Sequence, residues 1–341
     1  MSTLSGKSAA APRLPFTRLA GRRVLVAGAT GMVGTAIVRA LLAADPEVEV
    51  VGIGRSTPPG ITSPRITHVG ADLTRREDCR RAVAGCDWAV LAAAETGGAA
   101  QARREPWRQV TDNVVMDSLL LEALHDAGVR RVVYIGSASA YQPFDGLIRE
   151  DQMAWDADPH PAYLGVGWAK RYIEKQCRFW QTQTRMATVV VRAANVYGPR
   201  ARFDPENSNV VAALVRKAVD HMDPFEYWGS LDVARDIIHA DDFARAVLHL
   251  LVCDEAAGET FNLGSGRPTT VEEIMTCALR AAGHQPRAFR QLGEAPTTIP
   301  FRGLDCTKIE RLTGWMPEIS VEDGIRQTVD WWRDNKEVWK R

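Results

Sequence analysis

Three glycines at GxxGxxG spacing, Gly28, Gly31 and Gly34, are the residues of this chain best placed to handle a phosphate. They follow the apolar run Val24, Leu25 and Val26, which reads as a buried parallel strand. They precede a stretch from Met32 to Leu42 whose apolar residues recur at helical spacing. A strand-to-helix turn of this kind lets a pyrophosphate approach bare backbone and meet the positive end of a helix. A lone triplet is a weak signal; one lodged between a strand and a helix is a much stronger one. Gly28, Thr30, Gly31, Met32, Val33 and Gly34 are therefore expected to line a dinucleotide.

Other positions bear on which dinucleotide and on what chemistry. A second apolar strand, Val48–Ile53, ends in Gly54-Arg55-Ser56. An acid there would accept hydrogen bonds from the adenosine ribose, whereas an arginine suits a 2′-phosphate. Arg55, with no acid beside it, favours NADP over NAD, unless it is a solvated loop charge. Ile66–Val69 reads as a third strand, followed by Asp72 and Leu73. Asp72 is placed to bond an adenine amino group and can equally cap a helix starting near Thr74. A fourth strand, Trp88–Ala94, brings Ala92, Ala93 and Ala94 to the cofactor side and leads into Glu95. A carboxylate there can abstract a proton beside a keto group, or it is a solvated loop charge.

These residues need a scaffold, and the rest of the pattern supplies it. Thr111–Ala127 reads as a helix with Asn113 near its start, and Val132–Ile135 as a fifth strand followed by Gly136–Tyr141. Tyr163–Trp180 reads as a further helix and Ala187–Arg192 as a sixth strand. This alternation predicts an α/β fold, a Rossmann-type doubly wound parallel sheet. We expect a dinucleotide-binding domain over 21–195, to which 236–252 returns, and a smaller C-terminal α/β substrate lobe over 196–341. That lobe would hold a helix over Val210–His221, two short strands within Tyr227–Ile238, the strand Glu259–Leu263, a helix from Thr270 and the segment Asp305–Trp332. The Ser-, Ala- and Pro-rich first 20 residues read as a flexible leader.

Composition narrows the partners. The 341 residues are 45% hydrophobic and 25% charged, as in an ordinary globule with a sizeable core. The net charge is zero, which leaves no electrostatic case for nucleic acid or an anionic membrane. No apolar stretch approaches the ~20 residues that span a bilayer. The six cysteines are scattered with no CxxC pair, so they read as reduced thiols of a cytoplasmic protein. The histidines show no metal-ligand spacing, and no metal is expected.

From about residue 22 to 333 the chain resembles the extended short-chain dehydrogenase/reductase family, the NAD(P)-dependent nucleotide-sugar epimerases, dehydratases and reductases. The likeness rests on the glycine turn, Asp72, Asn113, Gly136–Tyr141, Lys170, Asn195–Pro199, Arg235 to Asp242 and Leu312–Pro317. Gly31–Gly34, Leu91–Ala94 with Gly97-Gly98, Asn195–Pro199, Phe203, Asn207-Ser208 and Trp228–Ser230 are similar to the GDP-L-fucose synthase branch. That resemblance implies an NADP enzyme that epimerises two sugar carbons and then reduces a ketone. It implies a GDP-sugar substrate held by Asn195, Asn209, Val210, Lys217, Trp228 and Arg235, the last gripping the pyrophosphate. It also implies a homodimer built through apolar faces on Val114–Leu124 and Ile173–Phe179.

The family needs a tyrosine hydroxyl to exchange a proton with the sugar, and a lysine four residues later to lower its pKa and bind the nicotinamide ribose. A serine on the fifth strand holds the same sugar oxygen. Ser137 and Lys170 fill the serine and lysine places, but the residue four before Lys170 is Val166. The branch's cysteine and histidine, its epimerising base and acid, are replaced by Ser139 and Asn209. Tyr163 is the candidate substitute, two turns before Lys170 on the same helix face, with its Cα roughly 10 Å away against about 6 Å for the family spacing. Glu95 is the other. Two further readings stay open: a related enzyme acting on a small non-nucleotide substrate, and a cofactor-binding protein that has lost catalysis.

Overall fold

Strands apolar on both faces can be buried only between two layers of helix, and the chain folds accordingly. The structure is a computed structural model that describes residues 16–55, 60–96, 105, 107–293 and 301–339. In chain order the strands are β1 (Arg23–Ala27), β2 (Glu49–Gly54), β3 (Ile66–Gly70), β4 (Trp88–Leu91), β5 (Arg131–Ser137), β6 (Gly146–Ile148), β7 (Ala187–Ala193) and β8 (Asn195–Tyr197). They continue as β9 (Phe225–Tyr227), β10 (Ala234–Arg235), β11 (Ile237–His239), β12 (Thr260–Leu263), β13 (Thr269–Thr270), β14 (Phe289–Gln291) and β15 (Arg302–Leu304). Seven form one parallel sheet in the order β12-β7-β5-β4-β1-β2-β3. The chain reverses its direction of travel between β1 and β4, the switch point where such sheets open a crevice at their carboxyl ends.

Alternate residues of β1 serve alternate layers. Val24 and Val26 join Ile37, Leu41, Phe243 and Val247 from the helices Met32–Ala44 and Ala240–Val252. Leu25 and Ala27 join Cys79, Leu121 and Ile173 from the helices Arg76–Ala82, Arg108–Asp126 and Leu164–Gln183. A separate core forms where Val210–Val219, Val271–Ala282 and Val321–Asn335 close on Tyr197, Phe203 and Phe225.

Several boundaries differ from the sequence reading. The strand expected at Glu259–Leu263 in the C-terminal lobe is β12, the outer strand of the main sheet. Its Asn262 is fully buried, takes the Tyr141 hydroxyl hydrogen bond at 2.8 Å and donates to the Ile148 carbonyl at 2.8 Å, so the strand is fastened from both sides. Residues 16–20 are no loose leader: Phe16–Leu19 is a 3-10 turn with Leu19 buried and Arg18 donating to the Val252 carbonyl at 2.7 Å. The leader residues 1–15, Ser56 and the Gly97-Gly98 pair lie outside the described residues. β4 stops at Leu91; the Ala92 N–H still donates to the Ala27 carbonyl at 3.1 Å, and Ala93–Glu95 run on as irregular backbone. The helix expected from Tyr163 begins at Leu164, because Pro161–Tyr163 forms a 3-10 turn with proline at its start.

Candidate functional site

The glycine turn opens onto a cavity of about 670 Å³ along the carboxyl ends of β1, β2 and β4. Its floor requires bare backbone. A Cβ on Gly34 would stand 2.1 Å from the Gly28 carbonyl oxygen, and one on Gly28, whose φ is +77°, would stand 2.8 Å from the Ala92 carbonyl oxygen. Gly28 also takes the Gly31 N–H at 3.0 Å, which closes the turn. The helix that follows has no side chain capping its start, so its first N–H groups are left to whatever occupies the cavity.

Every residue expected to hold the cofactor except Asn113 and Lys170 lines this cavity: Gly28, Thr30, Gly31, Met32, Val33, Gly34, Arg55, Asp72, Leu73, Ala92, Ala93 and Ala94. Asp72 does not cap the helix that follows, Arg76–Ala82, whose start carries no side-chain bond. It lines the cavity while its carboxylate takes the Thr74 hydroxyl at 2.7 Å and N–H at 3.1 Å, bonds that hold it below the usual carboxylate range. Asn113 is buried behind the wall, where its amide takes the Glu95 N–H at 2.8 Å and donates to the Glu95 carbonyl at 3.0 Å. Glu95 thus has a fixed backbone, and its carboxylate faces Arg55 at 3.7 Å. It lines the larger cavity only, apart from the residues around Ser137.

A smaller cavity, about 130 Å³, lies at the end of β5. Ser137, Ser139, Phe144, Tyr163, Asn195, Arg235 and Arg302 line it. Ser137 takes the Ser139 N–H at 3.1 Å, and the buried Ser139 hydroxyl has no hydrogen-bond partner among the described residues. The two arginines arrive on separate strands, β10 and β15, joined through Asp236 between them. That carboxylate takes the Leu304 N–H at 3.0 Å and the Ser265 N–H at 2.7 Å. Burial lowers the pKa of both guanidinium groups, and Nη1 of Arg302 is buried with no hydrogen-bond partner among the described residues. Such a pair, partly stripped of water, is suited to an anion.

Tyr163 is the one aromatic that lines both cavities, and Val166 lines only the larger. Asn195 also faces both, with its amide donating to the Asp236 carbonyl at 3.1 Å. Lys170 lines neither: it is buried, with Nζ 4.0 Å from the Asp117 carboxylate and 5.1 Å from the centre of the Tyr134 ring.

Of the expected substrate residues, Asn209 and Val210 line the larger cavity, Asn209 capping the next helix through the Ala212 N–H at 3.0 Å. Lys217 and Trp228 line neither cavity. The Lys217 ammonium donates to the Glu226 carbonyl at 2.7 Å, so it is engaged by β9 itself rather than by a phosphate. The expectations missed Arg302, Arg200 and Arg202, all lining one cavity or the other. Arg200 and Arg202 directly follow the Asn195–Pro199 motif, a position that could have marked them; Arg302 has no neighbouring motif to do so.

Among the described residues there is no metal-ligating cluster and no helix long and apolar enough to cross a membrane. A family model described as the NAD dependent epimerase/dehydratase family matches residues 24–264. The chain is 28% identical to a probable GDP-L-fucose synthase of Oryza sativa subsp. japonica, covering 95% of this chain and 96% of that protein. It is 29% identical to the dTDP-4-dehydro-6-deoxy-D-allose reductase of Streptomyces bikiniensis, over 93% of this chain and 98% of that one. Among solved structures it is similar to a dTDP-glucose 4,6-dehydratase of Streptomyces venezuelae with NAD bound, at TM-score 0.80 and 26% identity, over 93% and 99% of the two chains.

Proposed function

The chain belongs to the NAD dependent epimerase/dehydratase family, and on that premise we propose that it uses NADP to reduce a keto group on a nucleotide-linked sugar, a GDP-sugar in our reading. The observation that carries this reading is the position of Tyr163, at the join between the glycine-floored cavity and the one that holds Ser137. A bound nicotinamide supplies the hydride. The larger cavity has the volume and the bare backbone such a dinucleotide needs, and Arg55 at the end of β2 favours the form with a 2′-phosphate.

The chain's own residues then have distinct tasks. Ser137 and Ser139 donate to the sugar oxygen beside the reacting carbon. Tyr163 gives its hydroxyl proton to that oxygen as it gains negative charge. Arg235 and Arg302 hold the diphosphate. Reduction fits better than epimerisation, because the alcohol of Ser139 and the amide of Asn209 do not titrate near neutral pH. Titration with NADPH, followed by turnover against a panel of GDP-, dTDP- and UDP-linked keto-sugars, tests the assignment. Failure to bind NADPH overturns the cofactor; turnover of a dTDP- or UDP-sugar alone overturns the nucleotide.

We also infer a cytoplasmic homodimer. The six cysteines are unpaired. Leu164, Trp168, Tyr172 and Phe179 expose apolar surface along one helix, and Val115 does so on its neighbour. Of the face expected at Ile173–Phe179, Ile173 and Cys177 are buried within the subunit, so it is this other stripe that can seat the same pair of helices from a second copy.

A further inference from the structure

We propose that Asp117 is a positioning residue for Lys170: it holds the ammonium group behind the wall of the cofactor cleft and so sets how strongly the cleft attracts an anionic cofactor. The inference rests on the cleft assigned above. Met116 and Val166 line that cleft, while Asp117, the next residue along, and Lys170, one turn along, are turned inward with side chains 2% and 8% exposed. Their charged atoms are 4.0 Å apart. Oδ2 of Asp117 makes no hydrogen bond among the described residues, so the nearby ammonium is what makes a charge there tolerable.

The other groups facing the pair do not replace that charge. From β5 comes Tyr134, whose hydroxyl lies beside Asp117 and whose ring lies under Lys170. From the Lys170 helix come Glu174, bonded to Arg192, and Cys177, a thiol whose pKa burial pushes well up. Burial raises the Asp117 carboxyl to about 6, against the pull of Lys170 and Tyr134. Near neutral pH the pair is therefore internally neutral. As the carboxyl takes up a proton, the Lys170 charge is left uncompensated next to the cleft. With Val166 in the place of a tyrosine, no hydroxyl one turn before Lys170 competes for the ammonium.

The experiment is fluorescence titration of the full chain with NADPH at pH 5 and pH 8, comparing wild type, Asp117→Asn, Asp117→Glu and Lys170→Met. Reading each variant as a ratio to wild type cancels the titration of the cofactor's own phosphate. Asp117→Asn is expected to bind roughly fivefold more tightly than wild type at pH 8 and equally at pH 5, with Asp117→Glu restoring wild-type behaviour. Lys170→Met removes the ammonium altogether and is expected to bind more weakly than wild type, with the deficit growing roughly fivefold from pH 8 to pH 5; it keeps the test alive if the asparagine variant does not fold. A ratio that does not change with pH in either variant overturns the proposal, because a merely structural loss lowers stability without a pH-dependent affinity. Wild type that binds no NADPH at either pH overturns the cleft assignment itself, a separate result.

Discussion

The guanidinium of Arg302 lies over the ring of Tyr163, 5.0 Å from its centre, although one residue belongs to β15 and the other to the turn before the Leu164–Gln183 helix. Their contact joins two segments distant in the chain at the point where the two cavities meet. Replacing Tyr163 by Phe keeps the ring under Arg302 and removes only the hydroxyl. We expect kcat to fall by about 10²-fold or more, while NADPH affinity stays within about twofold of wild type. Steady-state kinetics and a cofactor titration check both halves; unchanged kcat removes Tyr163 from the proton path.

Gly34→Ala places a methyl group 2.1 Å from backbone oxygen, where no rotamer can relieve it. The expected loss is above about 2 kcal/mol of stability, with NADPH binding abolished. Gly70→Ala, where a Cβ meets nothing within 4 Å, is the matched control and is expected to change stability by less than about 0.5 kcal/mol. Urea unfolding of the two variants reads the difference.

Asp117 also links stability to pH. Its folded pKa, about 6, stands above the ordinary carboxyl value of 3.8, so between those values the folded state binds the proton and the unfolded chain does not. The ionised carboxyl therefore destabilises the fold, fully above about 6 and not at all well below 3.8. Wild type should gain on the order of 2 kcal/mol relative to Asp117→Asn as pH falls from 8 to 4. Parallel unfolding curves at the two pH values, with a constant gap between the proteins, would contradict this.

Arg192 on β7 pairs with Glu174 at 2.8 Å, both side chains no more than 3% exposed, and its guanidinium stacks 4.6 Å from the centre of the Tyr141 ring. Glu174→Gln leaves that cation buried without its counter-charge. The expected cost is about 3–5 kcal/mol, read as a lower midpoint in urea.

Trp168→Glu with Tyr172→Glu puts two charges on the exposed helix stripe. If the stripe seats a second copy, sedimentation should show a dimer for wild type and a monomer for the double variant, with its NADPH affinity retained. A wild-type monomer at tens of micromolar would dismiss the dimer.

Features that act over a few residues can be read from the amino-acid order alone. The glycine turn and the parallel strands are legible because periodicity and turn chemistry are local, Asp72, Ala92–Ala94 and Asn113 because they match a family pattern, and all converge on one cavity or its wall. Only the tertiary structure decided what meets across the chain. β12 joins the main sheet because Asn262 is fastened by Tyr141 and Ile148. Lys170 turns from the cleft because a buried carboxylate on another helix attracts it, and Lys217 is occupied by a backbone carbonyl. Tyr163 reaches the site from a 3-10 turn, where helical spacing no longer measures its distance from Lys170, and Arg302 meets it because Asp236 holds β15 in place. Burial and charge compensation set these contacts between segments distant in the chain, and no spacing along the sequence encodes them.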